Sequence, residues 1–210
     1  MIKAVIFDMD GVLIEAKEWH YEALNRALRL FGFEISRYDH LITFDGLPTA
    51  RKLQMFSAQY DLPVELHGFI NTMKQSYTME IVHAQCKPRF THQYALSKLK
   101  AGGYRLAVAS NSIRSTVEVM MRLAELRPYL EFMISNEEVS NPKPDPEMYS
   151  IAIRKLGVSP SECLVVEDKD YGIQAAKGAG AHVLEVRDVN EVTWSNIDQR
   201  IAQCNKAAVA

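Results

Sequence analysis

M-I-K-A-V-I-F-D-M-D-G-V-L-I-E, Met1 to Glu15, opens the chain and decides how the rest of it is read. Ala4 to Phe7 is an unbroken apolar run, which predicts a strand buried on both faces. It stops at two aspartates, Asp8 and Asp10, followed by Gly11. Acids so placed lie where open α/β sheets bind ligands, in the crevice outside the carboxyl ends of the strands. Two carboxylates this close repel unless a cation or a shared proton offsets them. A strand that simply ends in a polar turn explains the same three residues equally well, since Asp and Gly are ordinary turn formers.

Three later segments bear on that choice. Arg105 to Ser112, R-L-A-V-A-S-N-S, is a second apolar strand broken by small polar residues. There Ser110, Asn111 and Ser112 either cap a helix or, through Ser110, offer a hydroxyl to an anion beside free backbone amides. Asn141 to Pro146, N-P-K-P-D-P, brackets Lys143 with prolines that restrict the backbone on both sides. Cys163 to Asp170, C-L-V-V-E-D-K-D, is a third apolar strand ending in acids, and Gly172, Ala175, Ala176, Gly178, Ala179 and Gly180 behind it suit close helix–sheet packing. Each segment alone has a bland explanation: a cap, a solvated lysine, an acidic loop. In this order on one chain the combination is far more specific than its parts.

After Pro88 helix and strand signals alternate: helix 91–101, strand 105–109, helix 115–124, strand 132–135, helix 146–156, strand 163–167, helix 172–179, strand 182–186, and a tail helix over 192–203. That alternation predicts an α/β fold with a mostly parallel sheet covered on both faces. Lys17 to His83 is different, with helical periodicity and almost no strand signal. Trp19, Ala23, Ala27, Leu30 and Phe31 form one apolar stripe and Phe69, Met73, Tyr77 and Ile81 another, with Gly32, Asp61-Leu62-Pro63 and Gly68 as breaks. The expected organisation is a core of residues 1–16 and 84–210 with an inserted bundle of about four helices over 17–83.

Composition bounds the partners. A hydrophobic share of 48% and a charged share of 24% are ordinary for a globular domain. A net charge of −2 without a long basic run argues against nucleic acid, and no apolar stretch is long enough to span a bilayer. A first strand that already carries the aspartates is not a signal peptide. Cys86, Cys163 and Cys204 lack metal spacing, and their odd number disfavours a disulfide framework, so cytoplasm is the expected compartment. A monomer or weak homodimer is expected.

The motifs together resemble the haloacid dehalogenase superfamily of phosphotransferases, in the branch with a small helical cap inserted after the first motif. D-M-D-G-V, Asp8 to Val12, looks like the first motif, with Asp8 as nucleophile and Asp10 as acid/base. Ser110 stands at the second-motif hydroxyl, Lys143 at the third-motif lysine, and Glu167 and Asp168 at the fourth-motif acids. The resemblance implies a Rossmann-like core and a magnesium-dependent phosphatase of small phosphorylated metabolites, with a sugar phosphate as the expected substrate. Asp8 and Asp168 through their side chains and Asp10 through its carbonyl are then the expected magnesium ligands, with Glu167 in the first or second coordination shell. The presence of Asp10 separates the chain from the true dehalogenases, which lack it. A β-phosphoglucomutase-like phosphomutase and a non-enzymatic binding protein on the same fold are the alternatives; Thr49 standing where the mutases carry arginine counts against the first, and the intact motif residues against the second.

Substrate choice in such a family falls to the cap, because the core motifs see only the phosphate. Gly46 to Lys52 is the candidate loop, with Thr49, Arg51 and Lys52 as binding groups, or else a plain turn capped by Thr49 with its basic residues in solvent. His20 lies near the first cap stripe, where relatives commonly carry histidine; Asn111 is a further substrate-binding candidate and Lys74 a weaker one. Ile14-Glu15-Ala16-Lys17 departs from the usual V-D-S/T-E hinge, Lys169 replaces a usual serine, and Arg89 stands where glycine is common. Lys17, Arg89 and Lys169 take no assigned role from the sequence.

Overall fold

The computed structural model describes residues 1–44 and 47–207. The chain forms two compact units, Met1–Glu15 with Lys87–Ala210, and Ala16–Cys86.

The first unit is built on a five-stranded, all-parallel sheet in the order β3-β2-β1-β4-β5. Its strands are β1 (Ala4–Phe7), β2 (Arg105–Ala109), β3 (Phe132–Ile134), β4 (Cys163–Glu167) and β5 (His182–Glu185). β1 is central, and its register sets Phe7 opposite both Val108 and Val166. The residues that follow, Asp8, Ser110 and Asp168, are therefore delivered together to the carboxyl end of the sheet. Two backbone bonds extend that alignment past the strands, from the Asp8 amide to Val166 O at 3.0 Å and from the Ser110 amide to Ile134 O at 3.0 Å. Alternation puts Ala4, Ile6, Ala107, Ala109, Cys163 and Val165 on one face. They pack there with Met148, Tyr149 and Ala152 of α7 (Glu147–Lys155) and with Ala175 and Ala176 of α8 (Asp170–Gly178). On the rest of the unit α5 (Phe90–Ala101) packs against β2 and α9 (Trp194–Ala207), and α6 (Arg114–Leu123) against β3. Each element expected from the alternation is present, with ends shifted by a few residues.

The second unit is all helical. Its long helices are α1 (Lys17–Arg29), α3 (Thr49–Tyr60) and α4 (His67–Gln85); between the first two come one turn, α2 (Arg37–Asp39), and a π-helical turn over His40–Phe44. The expected bundle of about four helices is thus three long helices and one short one, because the segment after Gly32 winds only single turns. Leu24, Ala27, Leu28, Ile35, Phe44, Leu53, Phe56, Leu62 and Ile70 form the core. The carboxamide of buried Asn25 holds Ile35 from both sides, accepting from its amide at 2.8 Å and donating to its carbonyl at 2.9 Å. Two expected stripe positions face water instead: Leu30 is 53% exposed and Phe69 52%. On α4 the buried line is Ile70, Lys74, Thr78, Ile81 and Val82, one residue on from the apolar stripe. Thr78 is tolerated there because its hydroxyl donates to Lys74 O at 2.8 Å.

Candidate active site

The loop after β1 closes tightly, with the amides of Leu13 and Ile14 both donating to Met9 O at 2.9 Å and the Gly11 amide to Ile14 O at 2.7 Å. Gly11 has φ +92°, and a Cβ there would stand 2.2 Å from Oδ2 of Asp168. Glycine is required on both counts. Behind β4 space alone makes the case, since a Cβ on Gly172 would stand 1.9 Å from Oε1 of Glu167.

Lys143 is the hub. Its ammonium donates to Asp8 Oδ1 at 2.6 Å, Glu167 Oε1 at 2.8 Å, Tyr149 Oη at 2.7 Å and Ala109 O at 2.9 Å. Its loop is pinned by the Glu147 carboxylate, which accepts from the Ser140 and Asn141 amides at 2.9 Å each. Asn111 holds Lys143 through its main chain, accepting from the amide at 3.2 Å and donating to the carbonyl at 3.4 Å. A carboxamide so engaged positions the lysine and keeps a second N–H and a second lone pair for a ligand. The Lys143–Pro144 peptide is cis.

The polar residues after β2 do not cap α6, whose N-cap is Ile113 without a side-chain bond. Instead Ser110 Oγ accepts from the Ser112 amide at 3.0 Å, and Ser112 Oγ donates to Asp10 Oδ2 at 2.8 Å.

Charge explains why these groups call for a counter-ion. Burial drives the Asp8 carboxyl well above the usual carboxylate range; Lys143 opposes this, while Glu167, Asp10 and Asp168 add to it. Burial alone would lower the Lys143 ammonium, but Asp8 and Glu167 outweigh it and hold the group above the ordinary lysine value. Burial lifts Asp168 from 3.8 to about 7, against the opposing pull of Lys169, whose Nζ lies 3.8 Å from Oδ2. Oδ1 of Asp168 is buried without a hydrogen-bond partner. Asp8, Glu167 and Asp168 each present a carboxylate oxygen, all within 4.8 Å of one another. An all-oxygen acidic set with an orphaned buried oxygen fits a hard divalent cation. Glu167 is the least available of the three, since Oε1 serves Lys143 and Tyr149 and Oε2 accepts from the Asp168 amide at 3.1 Å.

A family model described as haloacid dehalogenase-like hydrolase matches residues 5–186 of this chain. The chain belongs to the haloacid dehalogenase-like hydrolases. Among these hydrolases it is 29% identical over 182 residues to the phosphorylated carbohydrates phosphatase of Thermotoga maritima, spanning 85% of this chain and 82% of that one. It is 27% identical over 186 residues to fructose-1-phosphate phosphatase YqaB of Escherichia coli, spanning 87% of this chain and 95% of that one. The β-phosphoglucomutase of Clostridium difficile shares the fold over the whole of both chains, with a TM-score of 0.83 at 20% identity.

In this haloacid dehalogenase-like hydrolase the remaining candidates belong to the helical unit. Thr49 is the first residue of α3 and Pro48 occupies the cap position, so Thr49 is not the N-cap. Arg51 is exposed, but Lys52 is buried at 8%, which corrects the reading of both basic residues as solvated. Gly46 lies outside the described residues. His20 is half-buried, with Nδ1 3.4 Å from Nζ of buried Lys74. In the sheet unit Arg89, without an assigned role in the sequence, donates to Asn190 Oδ1 at 2.5 Å and so ties the start of α5 to the turn before α9. Two residues at the site escape sequence reasoning: Tyr149, which reads as one more apolar position of α7, and Ser112, which reads only as a cap.

Proposed function

We propose that this hydrolase is a magnesium-dependent phosphatase that cleaves a small phosphorylated metabolite, a sugar phosphate in the first instance, through an aspartyl phosphate on Asp8. The observation that carries the reading is the Lys143 ammonium, buried and fixed 2.6 Å from Asp8, at the carboxyl end of the sheet where Asp10, Ser110 and Asp168 also arrive. The names of the two phosphatases above support the substrate class. Asp8 and Asp168 through their carboxylates and Asp10 through its carbonyl would hold magnesium, with Glu167 behind them. Bound there, the ion supplies positive charge that lets an anionic carboxylate meet an anionic phosphate.

The chain's own groups do the rest. An oxygen of Asp8 attacks phosphorus in line and the bond from phosphorus to the substrate oxygen breaks. Asp10 gives its proton to that leaving oxygen, with Ser112 holding the acid in place. Lys143 and the Ser110 segment stabilise the phosphoryl oxygens. A water then attacks the same phosphorus, Asp10 takes its proton, and phosphate leaves with Asp8 restored. His20, Thr49, Arg51 and Lys52 of the helical unit are proposed to choose the leaving group. Buried Cys86, Cys163 and Cys204 accord with a reducing compartment, the cytoplasm in this reading.

The test is a phosphate-release screen of phosphorylated metabolites with magnesium and again with chelator. The reading expects release from sugar phosphates that chelator abolishes. No release from any ester, or undiminished release in chelator, contradicts it.

A further inference from the structure

Tyr149 lies in the first turn of α7 with its side chain fully buried. Its neighbours Met148, Ala152 and Ala176 are apolar, so packing alone needs the ring and not the hydroxyl. The hydroxyl nevertheless sits inside the charge cluster. It accepts from Lys143 Nζ at 2.7 Å and donates to Glu167 Oε1 at 2.6 Å. The ring centroid is 4.5 Å from the same ammonium.

An ammonium has three protons to give. Here it faces four acceptors, Asp8 Oδ1, Ala109 O, Tyr149 Oη and Glu167 Oε1, at 2.6–2.9 Å. One proton must be shared, so the resting place of Nζ is a balance between two carboxylates. Tyr149 weights that balance by donating to Glu167, which withdraws part of that carboxylate's pull, and by accepting from Lys143. A phenol is protonated at neutral pH, so the hydroxyl is a donor as well as an acceptor.

We propose that Tyr149 is a positioning residue that keeps the Lys143 ammonium shared with Asp8 and stops it from being drawn to Glu167 alone. Its effect on turnover rests on the phosphatase reading above; its effect on the position of Nζ does not. Removing the hydroxyl leaves Lys143, among the described residues, as the remaining side-chain donor to Glu167 Oε1. Nζ then moves toward Glu167 and away from Asp8.

The experiment is Tyr149→Phe, measured two ways. Crystal structures of wild type and variant are expected to show Nζ within hydrogen-bond distance of Asp8 in the first and beyond it in the second. Steady-state phosphate release is expected to show kcat reduced about 10–100-fold with KM within about twofold, the scale of one charge-assisted hydrogen bond. A role confined to packing moves neither, and an unshifted Nζ or an unchanged kcat overturns the proposal. Should the Phe variant melt early, Tyr149→Met keeps comparable bulk without the hydroxyl and repeats both measurements. If wild type releases no phosphate from any ester, the phosphatase reading falls, while the displacement of Nζ still decides the positioning role.

Discussion

Oγ of Ser112 donates to Oδ2 of Asp10 across 2.8 Å, joining the loop after β2 to the loop after β1. The bond fixes the orientation of the carboxyl group proposed to carry and receive the proton. Ser112→Ala removes the donor but keeps the amide that bonds Ser110. We expect kcat to fall about tenfold, with the melting temperature within a few degrees of wild type. Steady-state kinetics check this; an unchanged kcat would show that Asp10 needs no such anchor.

Gly172 makes the second prediction. A Cβ 1.9 Å from Glu167 Oε1 cannot be accommodated without moving the carboxylate that holds Lys143 and Tyr149. Gly172→Ala should cost about 1–3 kcal/mol by overpacking, a loss of roughly 2–12 °C in a chain of this size, and most of the activity. Gly68→Ala, at an exposed site with nothing within 4 Å of the added carbon, is the control and should do neither. Calorimetry and phosphate release together decide the point.

The pH dependence follows from Asp168. Its carboxyl titrates at about 7 in the metal-free fold against 3.8 ordinarily. A raised acid contributes stability below its unfolded value and loses it as pH climbs through its folded value, so ionised Asp168 weighs against the metal-free fold above pH 7. The melting temperature of Asp168→Asn minus that of wild type should therefore grow between about pH 4 and about pH 7 in chelator, the underlying stability change being at most about 4 kcal/mol. Magnesium should reverse the order by stabilising wild type alone. A gap that stays flat with pH contradicts it.

The sheet was legible because its strands are short apolar runs in a helix–strand alternation: Ala4–Phe7, Arg105–Ala109 and Cys163–Glu167 have the bounds that their composition suggests. The helical unit was less so. The apolar stripe of α4 and its buried line differ by one residue, since a lysine stem and a self-satisfied threonine can be buried beside isoleucine. At the carboxyl end of the sheet, the acids and Lys143 stood out as charges beside apolar runs or prolines. Tyr149 did not, because its role exists only once α7 folds back on its own preceding loop. Ser112 was hidden for the same reason: its partner lies across the sheet, on another strand's loop.

The central claim is that Asp8 takes the phosphoryl group, and acid-quenched mass spectrometry of the protein with its best phosphate ester tests it most directly. The account predicts phosphate on the peptide bearing Asp8 in wild type, more of it in Asp10→Asn, and none in Asp8→Asn, which should also be inactive. Turnover by Asp8→Asn at the wild-type rate, or a phosphoenzyme carried on any other residue, would contradict it.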